Sequence, residues 1–138
     1  MVELFYEQTT DLGLDSVFFM SWLSRVSTNE NKELGDINLI FCSDDYLLEM
    51  NQQHLSHDYF TDIITFDYSF DSLVAGDLFI SVDRIRENAS DLSVSFEDEL
   101  HRVCCHGVLH LCGYSDKTEN DQILMRSKED AALMMRFT

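Results

Sequence analysis

The chain has 138 residues, 45% hydrophobic and 25% charged, with a formal net charge of −17, the profile of one globular domain spanning 1–138 with one sizeable core. That acidity argues against wide, nonspecific contact with nucleic acid, and no stretch approaches the roughly 20 apolar residues that span a bilayer. The four cysteines form no CxxC pair and Met1–Thr10 holds no basic start followed by an apolar run, so the expectation is reduced thiols, no signal peptide, no membrane contact and a cytoplasmic setting.

Along the chain, Val2–Glu7 reads as a first strand. Ser16–Ser27 places Val17, Phe18, Met20, Trp22, Leu23 and Val26 at helical spacing. Gly35 precedes Ile37–Phe41, a β-rich run, and Ser43 is a good N-cap for a helix over Asp44–Gln53. Asp62–Tyr68 and Gly76–Val82 predict adjacent strands around a loop at Ser69–Ala75. Asp83 is placed as the cap of a helix over Arg84–Asp91, and Ser95 with Asp98 resembles a capping box opening the next helix. A last helix is expected from about Thr118 to Met135. Strands come first and helices dominate the rest, which predicts an α+β fold with a single mixed β-sheet packed against helices.

Eleven residues, from His106-Gly-Val-Leu-His110 through Gly113 to Asp116, hold the strongest chemical signal. Two histidines four apart lie on one helix face, so both imidazoles can reach one ion. Gly113 offers the left-handed conformation that ends a helix, and the returning chain brings Asp116 as a third ligand. Three protein ligands leave a fourth tetrahedral position open, as in a catalytic metal site. The expected cofactor is one divalent ion, zinc first; the carboxylate oxygen admits harder metals somewhat more readily than a third imidazole would. Cys105 and Cys112 are rival ligands, but their offsets from His106 and His110 point off that face, which leaves them to packing. The spacing is that of zincin peptidases, whose general base follows the first histidine. Here Gly107 stands in that place, which argues against peptide hydrolysis.

The run His106-Gly-Val-Leu-His110-Leu-Cys-Gly113-Tyr114 resembles the signature of the YbeY family, metal-dependent endoribonucleases of bacterial ribosomal RNA maturation. A second block is similar as well: Asn51, Asp58, Thr61-Asp62-Ile63-Ile64-Thr65-Phe66 and Gly76-Asp77-Leu78-Phe79-Ile80-Ser81. The resemblance implies single-strand-specific cleavage in 16S rRNA 3′-end maturation and ribosome assembly and quality control. It implies as partners the pre-ribosomal small subunit with its RNA, small-subunit ribosomal proteins and an assembly GTPase. Three departures stand out. Asp116 replaces the usual third histidine, Leu55 stands where the family carries an arginine, and prolines common around Phe60 and Asp67 are absent.

Arg102, one helical turn before His106, is the candidate phosphate contact in the missing arginine's place, ahead of Arg84, Arg86 and Lys117. Residues 1–83 hold 16 of the 26 acidic groups and two of the nine basic ones, so a polyanion should approach the remaining, nearly neutral part. Asp62 and Asp77 are candidate proton acceptors, and His54 and His57 stand before the strand pair. Water activated at the metal and a 2′-hydroxyl both remain open as nucleophile. The alternative reading is a non-catalytic assembly factor whose metal stabilises the fold and whose acidic surface attracts basic proteins; a metallopeptidase ranks behind it.

Overall fold

In the computed structural model residues 1–55 and 61–137 are described; His57, Asp58, Phe60 and the Leu55 side chain lie outside the described residues. The elements run β1 (Val2–Glu7), α1 (Ser16–Asn29), β2 (Glu33–Cys42), α2 (Asp44–Leu55), β3 (Ile63–Asp67), β4 (Leu73–Ser81), α3 (Val82–Leu92), α4 (Phe96–Leu111) and α5 (Glu119–Met134). The four strands form one sheet in the order β1-β2-β4-β3. β1, β2 and β4 are parallel, and β3 returns antiparallel along β4. The fold is therefore α+β with a mixed sheet, as expected.

Alternation along β2 and β4 explains why the sheet has one thoroughly buried face. Ile37, Leu39, Phe41, Leu78 and Ile80 all face the main core, where they meet Trp22 and Leu23 of α1 and Val103, Val108 and Leu109 of α4. Each such side chain contributes about 1.5–3 kcal/mol by leaving water. A smaller cluster of Cys42, Leu47 and Ile64 lies under α2. The Trp22 indole donates to the Ala132 carbonyl at 2.8 Å, which ties α5 to α1.

His101 packs among Phe18, Phe19 and Trp22. Arg136 donates to its Nδ1 at 3.0 Å. Burial first, and the Arg136 charge second, bring the His101 pKa down to about 4.

Several local expectations are corrected. The cap of α3 is Ser81, whose hydroxyl accepts from the Arg84 N–H; Asp83 instead accepts from the Asp44 N–H and joins the starts of α2 and α3. Ser95 caps α4 as expected, while the Asp98 carboxylate accepts from Arg136 at 2.8 Å. β2 begins at Glu33 and carries an irregularity between Leu34 and Ile37, so Gly35 lies inside the strand. The hairpin between β3 and β4 closes in a tight turn, with Phe70 and Leu73 exchanging two backbone hydrogen bonds. Cys105 is buried, but Cys112 is only half-buried.

α4 approaches the sheet unusually closely at Gly107. A Cβ there would stand 2.8 Å from Ile63 Cδ1 and 2.9 Å from Leu78 Cδ1. Glycine at this position thus sets the distance of the histidine helix from β3 and β4, and it turns His106 and His110 toward the sheet edge beside β3. Among the described residues no helix is long and apolar enough to cross a membrane.

Candidate metal centre

The centre is assembled at the end of α4. Gly113 has φ +110°, and the N–H groups of Gly113 and Tyr114 donate to the carbonyls of His110 and Leu109. This pair of bonds is the Schellman ending of a helix. It reverses the chain within three residues and returns Asp116 to the histidine face. Tyr114 is held in turn by its hydroxyl on Glu30, with Lys128 over its ring at 5.3 Å and on Glu30 at 3.3 Å.

The three candidate ligand atoms form a nearly equilateral triangle. His106 Nε2 and His110 Nε2 are 3.0 Å apart, and Asp116 Oδ2 lies 3.3 Å from each. Ligands at zinc–nitrogen and zinc–oxygen distances of about 2.0–2.1 Å on a tetrahedral ion are separated by about 3.3–3.4 Å. The triangle therefore fits one ion of that size.

Tautomers sharpen the point. His110 Nδ1 lies 2.8 Å from the Tyr114 carbonyl oxygen, which only accepts, so Nδ1 carries the hydrogen and Nε2 presents a lone pair. His106 Nδ1 lies 2.6 Å from Glu129 Oε2. Burial alone would raise the Glu129 pKa, but its bonds to His106 and Arg102 bring it below the usual carboxylate range. Glu129 is thus an anion accepting from Nδ1–H, which leaves His106 Nε2 as the ring nitrogen that faces inward. Two ring nitrogens and a carboxylate oxygen at 3.0–3.3 Å from one another call for positive charge among them, a proton on His106 or a metal ion in its place. Burial lowers the His106 pKa, yet Glu129, Asp62 and Asp116 together raise it; the surroundings favour positive charge here. Imidazoles that donate their outer N–H to a carboxylate and to a backbone carbonyl are arranged as metal-ligating histidines are. His106, His110 and Asp116 could accordingly hold a metal ion.

The triangle opens onto a cleft of about 570 Å³, walled by Ile63, Thr65 and Leu111 and reached by Asn51, Asp62 and Lys117. Burial pushes the Asp62 carboxyl up, with partial relief from His106. Asp77 is on the opposite sheet face, accepting from the Asn38 amide at 2.9 Å. His54 is exposed and edge-on to Phe66.

Arg102 does not line this cleft. Its guanidinium donates to Glu129 at 2.9 Å and to Asp130 at 2.8 Å. Arg84 is paired with Asp44 and Glu87, and Arg86 stacks over Phe96. Glu129 is the residue that sequence reasoning missed. The available signal was positional: Met125, Glu129 and Ala132 share the buried face of α5, and a glutamate on such a face needs a partner.

Residues 7–136 match the family described as Endoribonuclease YbeY. The chain belongs to that family. An endoribonuclease YbeY of Flavobacterium psychrophilum is 51% identical over 135 residues, which cover 98% of this chain and 96% of the relative. One from Bacteroides thetaiotaomicron is 51% identical over 115 residues, 83% of this chain and 84% of the relative. The solution structure of a Thermotoga maritima protein superposes with a TM-score of 0.67 at 25% identity, covering 98% of this chain and 89% of that one. Membership in the YbeY family places the protein among the hydrolases, and the histidine-helix run that carried the resemblance is the run that builds the triangle.

Proposed function

We propose that the protein is a metal-dependent, single-strand-specific endoribonuclease acting at the 3′ end of 16S rRNA during small-subunit assembly and quality control. The observation that carries the chemistry is the triangle of two ring nitrogens and one carboxylate oxygen facing one point, with both imidazole rings held from behind. Family membership carries the substrate class.

In this reading His106, His110 and Asp116 hold one divalent ion, zinc first for two imidazoles and a carboxylate. When bound, such an ion supplies Lewis acidity toward a phosphoryl oxygen and acidifies water. The protein's own groups do the rest. Glu129 and the Tyr114 carbonyl orient the two rings. Ile63 and Leu111 line the cleft with apolar surface, which strengthens charge interactions inside it. Asp62, half-buried and near enough to His106 to feel its charge, is the proton acceptor ahead of Asp67, which also lines the cleft but is exposed. Gly107 leaves no free space for a base directly after His106: a side chain there would have to displace the terminal methyls of Ile63 and Leu78.

Residues 1–138 act as one catalytic unit, supported by a single main core that draws on β1, β2, β4, α1, α3, α4 and α5. The site of action is the cytoplasmic pre-ribosome, with small-subunit ribosomal proteins and an assembly GTPase as neighbours.

The test maps small-subunit rRNA 3′ ends in cells depleted of the protein and resupplied with wild type or His110→Ala. Purified proteins are assayed in parallel on single-stranded RNA with added zinc. Unprocessed ends cured by wild type only, with cleavage lost in a folded His110→Ala, support the nuclease. Ends cured equally by both would make the centre structural and the protein an assembly factor.

A further inference from the structure

The acidic chain needs local positive charge to receive a phosphate backbone, and the cations near the centre differ sharply in how committed they are. Arg102 is committed: its side chain is 19% exposed and both of its outer nitrogens are bound, to Glu129 and Asp130. Arg126 is not. It lies 3.8 Å from Glu129 Oε1, beyond hydrogen-bonding distance, and its side chain is 56% exposed. The Glu129 carboxylate is already shared between His106 on one oxygen and Arg102 on the other, so Arg126 gains little from turning inward.

Arg126 lines a second cavity of about 250 Å³, with Gln122, Met125 and Glu129, and this cavity shares His106 and Asp116 with the main cleft. Lys117, next to the ligand Asp116, lines the main cleft and makes no ion pair among the described residues. Each of the two spaces that meet at the ligand triangle therefore contains one cation held less tightly than Arg102: Lys117, and Arg126 with its long, exposed pair to Glu129.

We infer that Lys117 and Arg126 are the phosphate-contacting residues of this enzyme, gripping the RNA backbone on the two sides of the ligand triangle in place of Arg102. The inference rests on the ribonuclease reading above. Arg126 presents a planar fork suited to two phosphoryl oxygens, and Lys117 a mobile point charge. Arg102 then has a positioning role only: it steadies Glu129, which steadies His106.

The experiment measures kcat/KM of the zinc-loaded protein on a short single-stranded RNA across a series of monovalent salt concentrations. Arg126→Gln, Lys117→Gln and the double variant are compared with wild type. Arg86→Gln serves as control, because Arg86 stacks on Phe96 away from the cleft. Each handle lost lowers kcat/KM about tenfold and makes the log–log salt slope shallower by about 0.7. Zinc affinity, read by competition with a chromophoric chelator, stays at the wild-type value. A double variant with unchanged kcat/KM and slope, beside an active wild type, overturns the assignment. Loss of zinc affinity in Arg126→Gln overturns it for Arg126, because that residue would then act through Glu129. A folded, zinc-loaded wild type that leaves RNA intact refutes the ribonuclease reading, and the inference falls with it.

Discussion

Replacing Glu129 with glutamine tests whether the second layer of the centre tunes the first. The carboxylate is 5% exposed and accepts from His106 Nδ1 at 2.6 Å on one oxygen and from Arg102 at 2.9 Å on the other. Glutamine is the same size but has one acceptor and one donor end. One of its two partners, both donors, must then face an NH₂ group. If the amide oxygen keeps Arg102, the His106 ring loses the acceptor that fixes its tautomer. Substitutions at such supporting positions lower metal affinity by about 10–100-fold, or about 1.4–2.7 kcal/mol. The metal-free protein should also lose about 1.5–3 kcal/mol of stability, the usual worth of a buried charged hydrogen bond. Chelator competition reads the zinc affinity and urea unfolding in chelator reads the stability. A zinc affinity within twofold of wild type would refute the argument that Glu129 holds His106 ready for the metal.

Three further outcomes are expected. Asp62→Asn should lower kcat on RNA by about 100-fold while zinc affinity stays put, and an unchanged kcat removes Asp62 from proton transfer. Gly113→Ala meets no atom within 4 Å of the new Cβ, so its cost is the positive φ alone, about 1–2 kcal/mol in urea unfolding; a neutral result would show that the helix ending tolerates another backbone path. His101 has a folded pKa near 4 against about 6.5 unfolded. As pH falls below 6.5 the unfolded chain takes up the proton first, so this group's contribution to stability is lost between about pH 6.5 and 4. The loss from pH 7 to pH 5 is about 2 kcal/mol. Unfolding of wild type and His101→Phe at both pH values should show that much less acid sensitivity in the variant, and equal sensitivity would place the titration elsewhere.

Several features of this protein are decided within a few residues of sequence. Helical spacing places His106 and His110 on one face, Gly113 permits the positive φ that ends the helix, and Asp116 is close enough along the chain to return to that face. The Ser43 and Ser95 caps are local for the same reason: a side chain meets an N–H two or three residues on. β1, with alternating burial from Val2 to Glu7, lies where its pattern predicts it. Asp83 shows the limit. Ser81 and Asp83 are both good cap residues, and the choice went to Ser81 because its hydroxyl also donates to Asp44 of α2 at 2.6 Å, a contact between elements.

Tertiary structure alone decided the rest. Glu129 is 23 residues from His106, and no periodicity in α5 says which helix its acidic residue will face. Arg102 sits on the predicted side of α4, but the packing of α5 surrounds it with Glu129 and Asp130 and so removes it from the cleft. The same packing leaves Arg126 with only a long pair to Glu129 and Lys117 with no ion pair among the described residues. Gly107 looked like a missing base in the sequence and proved to be the contact point of α4 with Ile63 and Leu78. Local rules fix which atoms one helix turn can bring together. Which charges are neutralised, and which remain open to a substrate, depends on surfaces that meet only when distant segments pack.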